Sequence, residues 1–352
     1  MFSGGFSDRK IVLLCEGNFG VIESKIASAF IRYNEEQCVA VINTEYAGQN
    51  VSDVLGWGHG IPIVATFAEA FKYEPDTLLI GVSVQGNSFP EAWRPFLVEA
   101  ISNKLDIVAG LNFKLNDDAE FAALAQEHQV KLIDTKSVPQ DIDLSRGRAE
   151  NVDALIIHTV GTDCRVGKKT TALELTLEAK KRGIKANFGA TGQTGIMISG
   201  TGICVDSVIV DFLGGATEKV VLDAAEGADW AVIEGQASIA HPAFAGGTMG
   251  MLYGAMPDAL ILCHHHNREK HYGYERPIPA LQDLIEMYET VTKLSKPAKV
   301  VGVSLNTYPL SDEEAKVAIA ELERELNLPV TDTVKFGAGK LVDALIDFEK
   351  NK

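Results

Sequence analysis

One segment constrains this chain more than any other. The β-branched apolar run ALIIHTV (Ala154–Val160) leads into the loop GTDCRVG (Gly161–Gly167), and KKTTALEL follows from Lys168. A buried strand, a glycine-rich turn and a helix opening on lysine make up a phosphate-binding loop: backbone N–H groups and the helix N-terminus face an anion, and the lysine adds a point charge. That sequence of elements belongs to a parallel α/β sheet. The spacing departs from the common motif, because five residues, Thr162 to Val166, separate Gly161 from Gly167-Lys168 where four are usual. Lys169 also stands where a serine or threonine normally ligates Mg²⁺, with Thr170 and Thr171 after it. The substitution weakens nucleotide hydrolysis chemistry more than it weakens phosphate binding.

The rest of the chain alternates in the same way. IVLLC (Ile11–Cys15), CVAVI (Cys38–Ile42), PIVAT (Pro62–Thr66), TLLIGVS (Thr77–Ser83) and IVAGL (Ile107–Leu111) read as buried strands. Ile22–Tyr33, Glu91–Asn103 and Asp117–His128 carry apolar residues at helical spacing. Strands and helices in alternation predict parallel sheets covered by helices on their faces. At 352 residues the chain has room for two domains. The pattern lapses in VPQDIDLSRGRAEN (Val138–Asn151), which divides a Rossmann-like domain, residues 1–145, from a P-loop domain, residues 146–352. In the second domain, strands are expected at 185–189, 230–234, 259–263 and 299–305. Ser311 and Glu314 form a capping box at the start of a helix reaching Leu326. VDSVIVDF (Val205–Phe212) is left unassigned, since it favours strand while the residues after it favour helix.

Composition narrows the function. A net charge of −16 argues against nucleic acid and against an anionic membrane surface as partners. No apolar run approaches a membrane span, and the start MFSGGFSDRK lacks the pattern of a signal peptide. Five scattered cysteines without a C-x-x-C pair fit a reduced, cytoplasmic enzyme.

Several longer segments carry a resemblance. The loop, GTD-x-x-VGK, is similar to that of dethiobiotin synthetase and its relatives, which share the five-residue interval. Gly189–Gly200 (GATGQTGIMISG), Val232–Phe244 (VIEGQASIAHPAF), Val301–Thr307 (VGVSLNT) and Leu328–Leu345 resemble a family long classed as a domain of unknown function, some of whose members are D-glutamate N-acetyltransferases. Gly60–Val64, Leu79–Arg94 and Ile107–Asp118 extend the resemblance over the first domain. This chain reads EGQASIAHPAF where EGQGS and HPAY are expected, so Ala237 and Phe244 are departures.

The resemblance implies a Rossmann-like domain followed by a P-loop domain, with acetyl-CoA as co-substrate and an acidic D-amino acid as acceptor; no metal and no tightly bound cofactor are expected. The donor's phosphates would then be held by Gly161, Thr162, Cys164, Arg165, Gly167, Lys168, Lys169, Thr170 and Thr171. Glu234, ending the apolar strand WAVIE, is expected as general base, with His241 as the other candidate. Asp163 is expected to orient loop amides or take the substrate ammonium, because a carboxylate facing phosphate would repel it. Gln193, Thr194, Gln236 and Ser238 are uncharged hydrogen-bonding groups suited to the substrate. Cys164 at a helix N-terminus invites an acetyl-cysteine intermediate. CHHH (Cys263–His266), with Arg268 and His271 beyond, is read as a strand-end loop near the site and not as a metal site. A homo-oligomer, with a dimer favoured, completes the expectation. The alternative is an ATP and Mg²⁺-dependent ligase or kinase using Lys168, Glu234 and Thr170 or Thr171. A nucleotide-sensing regulator without turnover is a third class.

Overall fold

The computed structural model describes residues 8–84 and 86–352. MFSGGFS at the start, and Gln85 within the segment Leu79–Arg94, lie outside the described residues. The chain forms two compact units, one of residues 1–138 with 192–207, the other of 139–191 with 208–352.

Among the described residues the first unit carries one parallel sheet of six strands: β1 (Ile11–Leu14), β2 (Cys38–Ile42), β3 (Ile63–Val64), β4 (Thr77–Ile80), β5 (Asp106–Ala109) and β6 (Leu132–Asp134). Their spatial order is β3-β2-β1-β4-β5-β6, the doubly wound Rossmann order. β1 and β4 are buried at every position. Such continuous apolar runs suit a sheet covered on both faces. In the turn after β1, Glu16 accepts hydrogen bonds from the amide and hydroxyl of Thr44 (2.9 and 2.5 Å), so the acid of that turn ties β1 to the end of β2.

The second unit has six strands as well: β7 (Leu155–Gly161), β8 (Ala186–Gly189), β9 (Trp230–Ile233), β10 (Ala259–His265), β11 (Lys299–Asn306) and β12 (Val330–Thr331). They lie parallel in the order β12-β11-β10-β7-β9-β8. β7, buried along its whole length, is flanked by β9 and β10. The carboxyl ends of these three strands therefore stand side by side, where open α/β sheets place their ligands. The helix Asp312–Leu326 starts at the expected capping box, with Ser311 Oγ accepting from the Glu314 amide and Glu314 accepting from the Ser311 amide.

The division of the chain differs from the sequence expectation in two ways. The boundary falls at Val138, seven residues before the expected 145, because the polar stretch that follows belongs to the second unit. Buried Glu218, on the helix Val210–Ala225, accepts from the amide and guanidinium of Arg148 and the amide of Arg146. Gly215 on the same helix lets the chain pass so near that a Cβ there would fall 1.7 Å from the Asp143 carbonyl oxygen. The second difference is that residues 192–207 return to the first unit. Their helix, Gln193–Ser199, packs on the helix Lys25–Tyr33, where Asn34 donates to the Ile198 carbonyl at 3.0 Å. The unassigned Val205–Phe212 is a short 3₁₀ turn at Val205–Ser207 followed by the start of the helix Val210–Ala225.

Candidate active site

The phosphate loop keeps the conformation that its sequence implies. Thr162 donates its amide to the Cys263 carbonyl (3.0 Å), pinning the loop to β10, and the helix Lys168–Lys181 begins directly after Gly167. Arg165 at φ +59° and Gly167 at φ +107° take left-handed conformations along it. Alternation of this kind turns successive N–H groups toward one concavity, which favours anions. Lys168 folds back under the loop and donates Nζ to the Asp163 carbonyl at 2.7 Å. It is buried, and desolvation lowers its pKa. Two glycines make that possible. A Cβ on Gly161 would lie 2.7 Å from Lys168 Nζ, and one on Gly235 would lie 1.6 Å from the Thr159 carbonyl oxygen.

Asp163 is fully buried inside this loop and gathers the chain beyond β10 around itself. Its Oδ2 accepts from Arg268 Nη1 (2.8 Å) and from the Tyr272 amide (2.7 Å). Its Oδ1 faces His271 Nδ1 at 3.3 Å and His241 Nε2 at 3.7 Å. The neighbouring Thr162 hydroxyl lies 2.9 Å from His264 Nδ1. The partners of the Asp163 carboxylate therefore lie in the segment after β10 and at His241, not among the amides of the phosphate loop.

Glu234 follows β9 and is also buried. Its Oε2 accepts the Thr191 amide at 3.1 Å, and its charge acts on Lys168. The next residues wrap the end of β7. Gly235 donates to the Thr159 hydroxyl (2.9 Å), Gln236 Nε2 donates to the Thr191 hydroxyl (3.1 Å), and the Gln236 carbonyl accepts from Thr248 Oγ1 (2.9 Å). Ser238 is buried, with the Ala240 amide donating to its hydroxyl. His241 is buried too. Its Nδ1 accepts the Ala243 amide at 3.2 Å, so Nε2 carries the proton and points toward Asp163 and the Tyr272 carbonyl.

Sequence reasoning missed Tyr288. Its hydroxyl donates to the Gly161 carbonyl (2.7 Å) and accepts the Ile239 amide (3.0 Å), joining the phosphate loop to the 235–241 loop. Burial pushes this phenol up to about 12. No motif marks the residue, which reads as one more apolar position on the inner face of the helix Leu281–Thr292.

The second unit thus brings together Gly161 to Thr171, Glu234, Gln236, Ser238 and His241, while Gln193 and Thr194 open a helix of the first unit. There, Gln193 packs on Gly110 and its Oε1 lies 3.7 Å from Cys204 Sγ. Thr171, which the ATP and Mg²⁺ alternative would set near the metal, is buried and donates to Ser304 Oγ at 2.7 Å. Lys169 and Thr170 are half-buried on the first helical turn. The Cys164 thiol is pushed upward by burial, against the activation that its helix N-terminus suggested. Ligand atoms of Asp163, Cys164 and His241 lie within 4.8 Å of one another. Of these groups, His241 Nδ1 accepts the Ala243 amide and Asp163 Oδ2 is paired with the Arg268 guanidinium.

Two parallel-sheet units, the second built on a strand, phosphate loop and helix, define a Rossmann-like and P-loop pair. The P-loop domain of the family DUF1611, described as a domain of unknown function, matches residues 143–342, and its Rossmann-like companion matches residues 44–138; the chain belongs to that family. A Pseudoalteromonas protein named D-glutamate N-acetyltransferase is 36% identical over 320 residues, covering 90% of this chain and 93% of its own. A protein of the same name from Tritonibacter scottomollicae is 38% identical over 282 residues, covering 80% and 84%. The crystal structure of a DUF1611 family protein from Anabaena variabilis superposes with a TM-score of 0.90 at 36% identity, covering 97% of this chain and 100% of that one. Among the described residues no helix is long and apolar enough to cross a membrane.

Proposed function

We propose that this protein transfers the acetyl group of acetyl-CoA to the amino group of D-glutamate or a similar acidic D-amino acid, in D-amino-acid catabolism. The observation that carries the reading is the phosphate loop. It packs buried Lys168 against Gly161, where a Cβ would collide with the ammonium, and it places Lys169 where a magnesium-binding hydroxyl would stand. Such a loop suits a nucleotide held by its phosphates without being cleaved. The two relatives named D-glutamate N-acetyltransferase support the acetyl-transfer part of the assignment.

In this reading the amides of residues 162–168, together with Lys168 and Arg165, hold the donor's phosphates. Glu234, at the carboxyl end of β9, receives the proton that the amine loses as its nitrogen bonds to the acetyl carbon and the thioester C–S bond breaks. His241 is the weaker candidate, since its Nδ1 is taken by the Ala243 amide. Gln193, Thr194, Gln236 and Ser238 remain proposed for the substrate's carboxylates or the acetyl oxygen. The reading also places the protein in the cytoplasm as a homo-oligomer, a dimer favoured, with no metal required.

The test is free-thiol release from acetyl-CoA by the purified protein in EDTA, with D-glutamate, L-glutamate and no amine in parallel. Release with D-glutamate alone supports donor, acceptor and handedness together. No release in any arm, with ADP formed from ATP and Mg²⁺ instead, would overturn the reading in favour of a ligase or kinase.

A further inference from the structure

Beside the phosphate loop, the second unit exposes three aromatic rings that the chemistry above does not use: Phe244 (52%), Tyr274 (44%) and Tyr272 (41%). Their backing is buried and ordered. Tyr272 is pinned through its amide to Asp163. Phe244 stacks on His241 with ring centroids 4.8 Å apart and planes 24° from parallel. Tyr274 meets the same imidazole edge-on at 5.3 Å. Two cations complete the rim. The guanidinium of Arg165, an exposed residue of the loop itself, lies 4.2 Å from the Tyr272 centroid, and that of Arg268 lies 5.8 Å from it.

Exposed aromatic rings on a fixed base, interleaved with arginines, are the chemistry that takes a nucleobase and its phosphates. The ring offers a stacking face, and the guanidinium groups meet the charge next to it. Of the two arginines, Arg268 is already paired with Asp163, whereas Arg165 stands exposed on the loop. We propose that Tyr272, with Arg165 and Arg268 beside it, seats the adenine and ribose-phosphate end of the ligand whose pyrophosphate lies in the loop. The ligand chemistry is an adenine nucleotide, and assigning it to the acyl donor rests on the acetyl-CoA reading. The step involves binding alone.

The experiment is titration calorimetry of the full-length protein with CoA, dephospho-CoA and ADP, joined to acetyl-transfer kinetics with acetyl-CoA and with S-acetylpantetheine, which lacks the nucleotide. In the wild type, acetyl-CoA should have the lower KM of the two donors. Tyr272→Ala should weaken CoA and ADP by about tenfold or more, while Tyr272→Phe, which keeps the ring, should restore affinity. Arg165→Gln should narrow the preference for CoA over dephospho-CoA. Thermal melting of each variant separates lost affinity from lost fold. A folded Tyr272→Ala protein that binds CoA and ADP within twofold of wild type would overturn the seat and leave the acetyl-CoA reading standing. Wild-type binding of ADP without CoA supports the seat but overturns the donor. A wild type that binds none of the three overturns both.

Discussion

The Asp163 carboxylate and the Arg268 guanidinium meet at 2.8 Å, the acid fully buried and the arginine side chain 23% exposed. The contact resolves an oddity of the loop, which carries a negative charge where phosphate is to bind. Asp163 turns that charge inward, onto Arg268, the Tyr272 amide and His271, which under the proposed reading leaves the loop's amides to meet the anion. It also clamps the segment after β10 to the loop.

Removing the clamp should cost stability as well as ligand. Asp163→Ala leaves a guanidinium and a backbone amide without their acceptor, and breaking a buried ion pair in this way costs roughly 3 kcal/mol. Urea unfolding measures it. A loss under about 1 kcal/mol, the level of an exposed pair, would show that the contact carries no structural weight.

For the site itself, two substitutions separate anchoring from chemistry. Lys168→Ala should raise the Michaelis constant for acetyl-CoA by about tenfold or more, because it removes the cation beneath the loop. Glu234→Gln should lower turnover by about 10²-fold with a much smaller change in that constant. Steady-state kinetics read both. A Glu234→Gln enzyme of near-normal turnover would transfer the base to His241, and unchanged donor binding in Lys168→Ala would remove the loop's proposed role.

Acid sensitivity should appear well above the pH at which carboxylates titrate. Burial lowers both His158 and His264 from the ordinary 6.5 to about 4. Above pH 6.5 these rings are neutral in folded and unfolded chains alike, so they add no slope there. As pH falls from 6.5 toward 4 the unfolded chain binds protons that the folded one refuses, and stability declines, by on the order of 3 kcal/mol at most for each ring. Melting temperatures at pH 7.5, 6 and 5 should fall in sequence, and His264→Gln should flatten part of the slope. A melting temperature that holds steady down to pH 5 would contradict the assignment.

Much of this molecule is legible along the chain because its signals are local. Strands with unbroken apolar runs, the loop between β7 and its helix, and the Ser311 capping box each declare themselves within a few residues. What is not legible depends on distance. Asp163 finds Arg268 and Tyr272 at separations of 105 and 109 residues, which no spacing rule connects. GATGQTGIMISG is continuous in sequence, yet Gly189, the last residue of β8, belongs to the second unit while the helix Gln193–Ser199 belongs to the first. Local periodicity identifies a helix but not the sheet it covers. The thiol of Cys164 fails for a related reason, because the lowering expected at a helix N-terminus is outweighed by burial.

Ala237 shows a departure from the family pattern turning into backbone strain. It sits at φ +49°, a left-handed conformation suited to the glycine that the resemblance leads one to expect. A Cβ there costs about 1–2 kcal/mol, against an unfolded-state entropy penalty of about 0.4–1 kcal/mol for introducing glycine. Ala237→Gly should therefore stabilise the protein by about 0.5–1 kcal/mol, visible as a higher urea midpoint. A lower midpoint would mean that the alanine methyl packs well enough to outweigh the strain.

Tyr288 offers the sharpest test of whether the two loops act as one. A single hydroxyl donates to the Gly161 carbonyl and accepts the Ile239 amide, so the start of the phosphate loop and the turn carrying Ser238 and His241 share one fixed point. Tyr288→Phe keeps the ring in the core and removes both contacts, leaving a buried carbonyl and amide unpaired at a cost of about 1–3 kcal/mol. If the bond only fills a polar gap, stability should drop and the kinetic constants should hold. If it sets the geometry between donor anchor and acceptor loop, turnover should fall by about tenfold or more while the Michaelis constant for acetyl-CoA changes little, since misplacing reacting groups by a fraction of an ångström acts on the chemical step. The coupled outcome is the expected one, because the loop that meets Tyr288 is also tied to Thr159 and Thr191 and has little freedom to compensate.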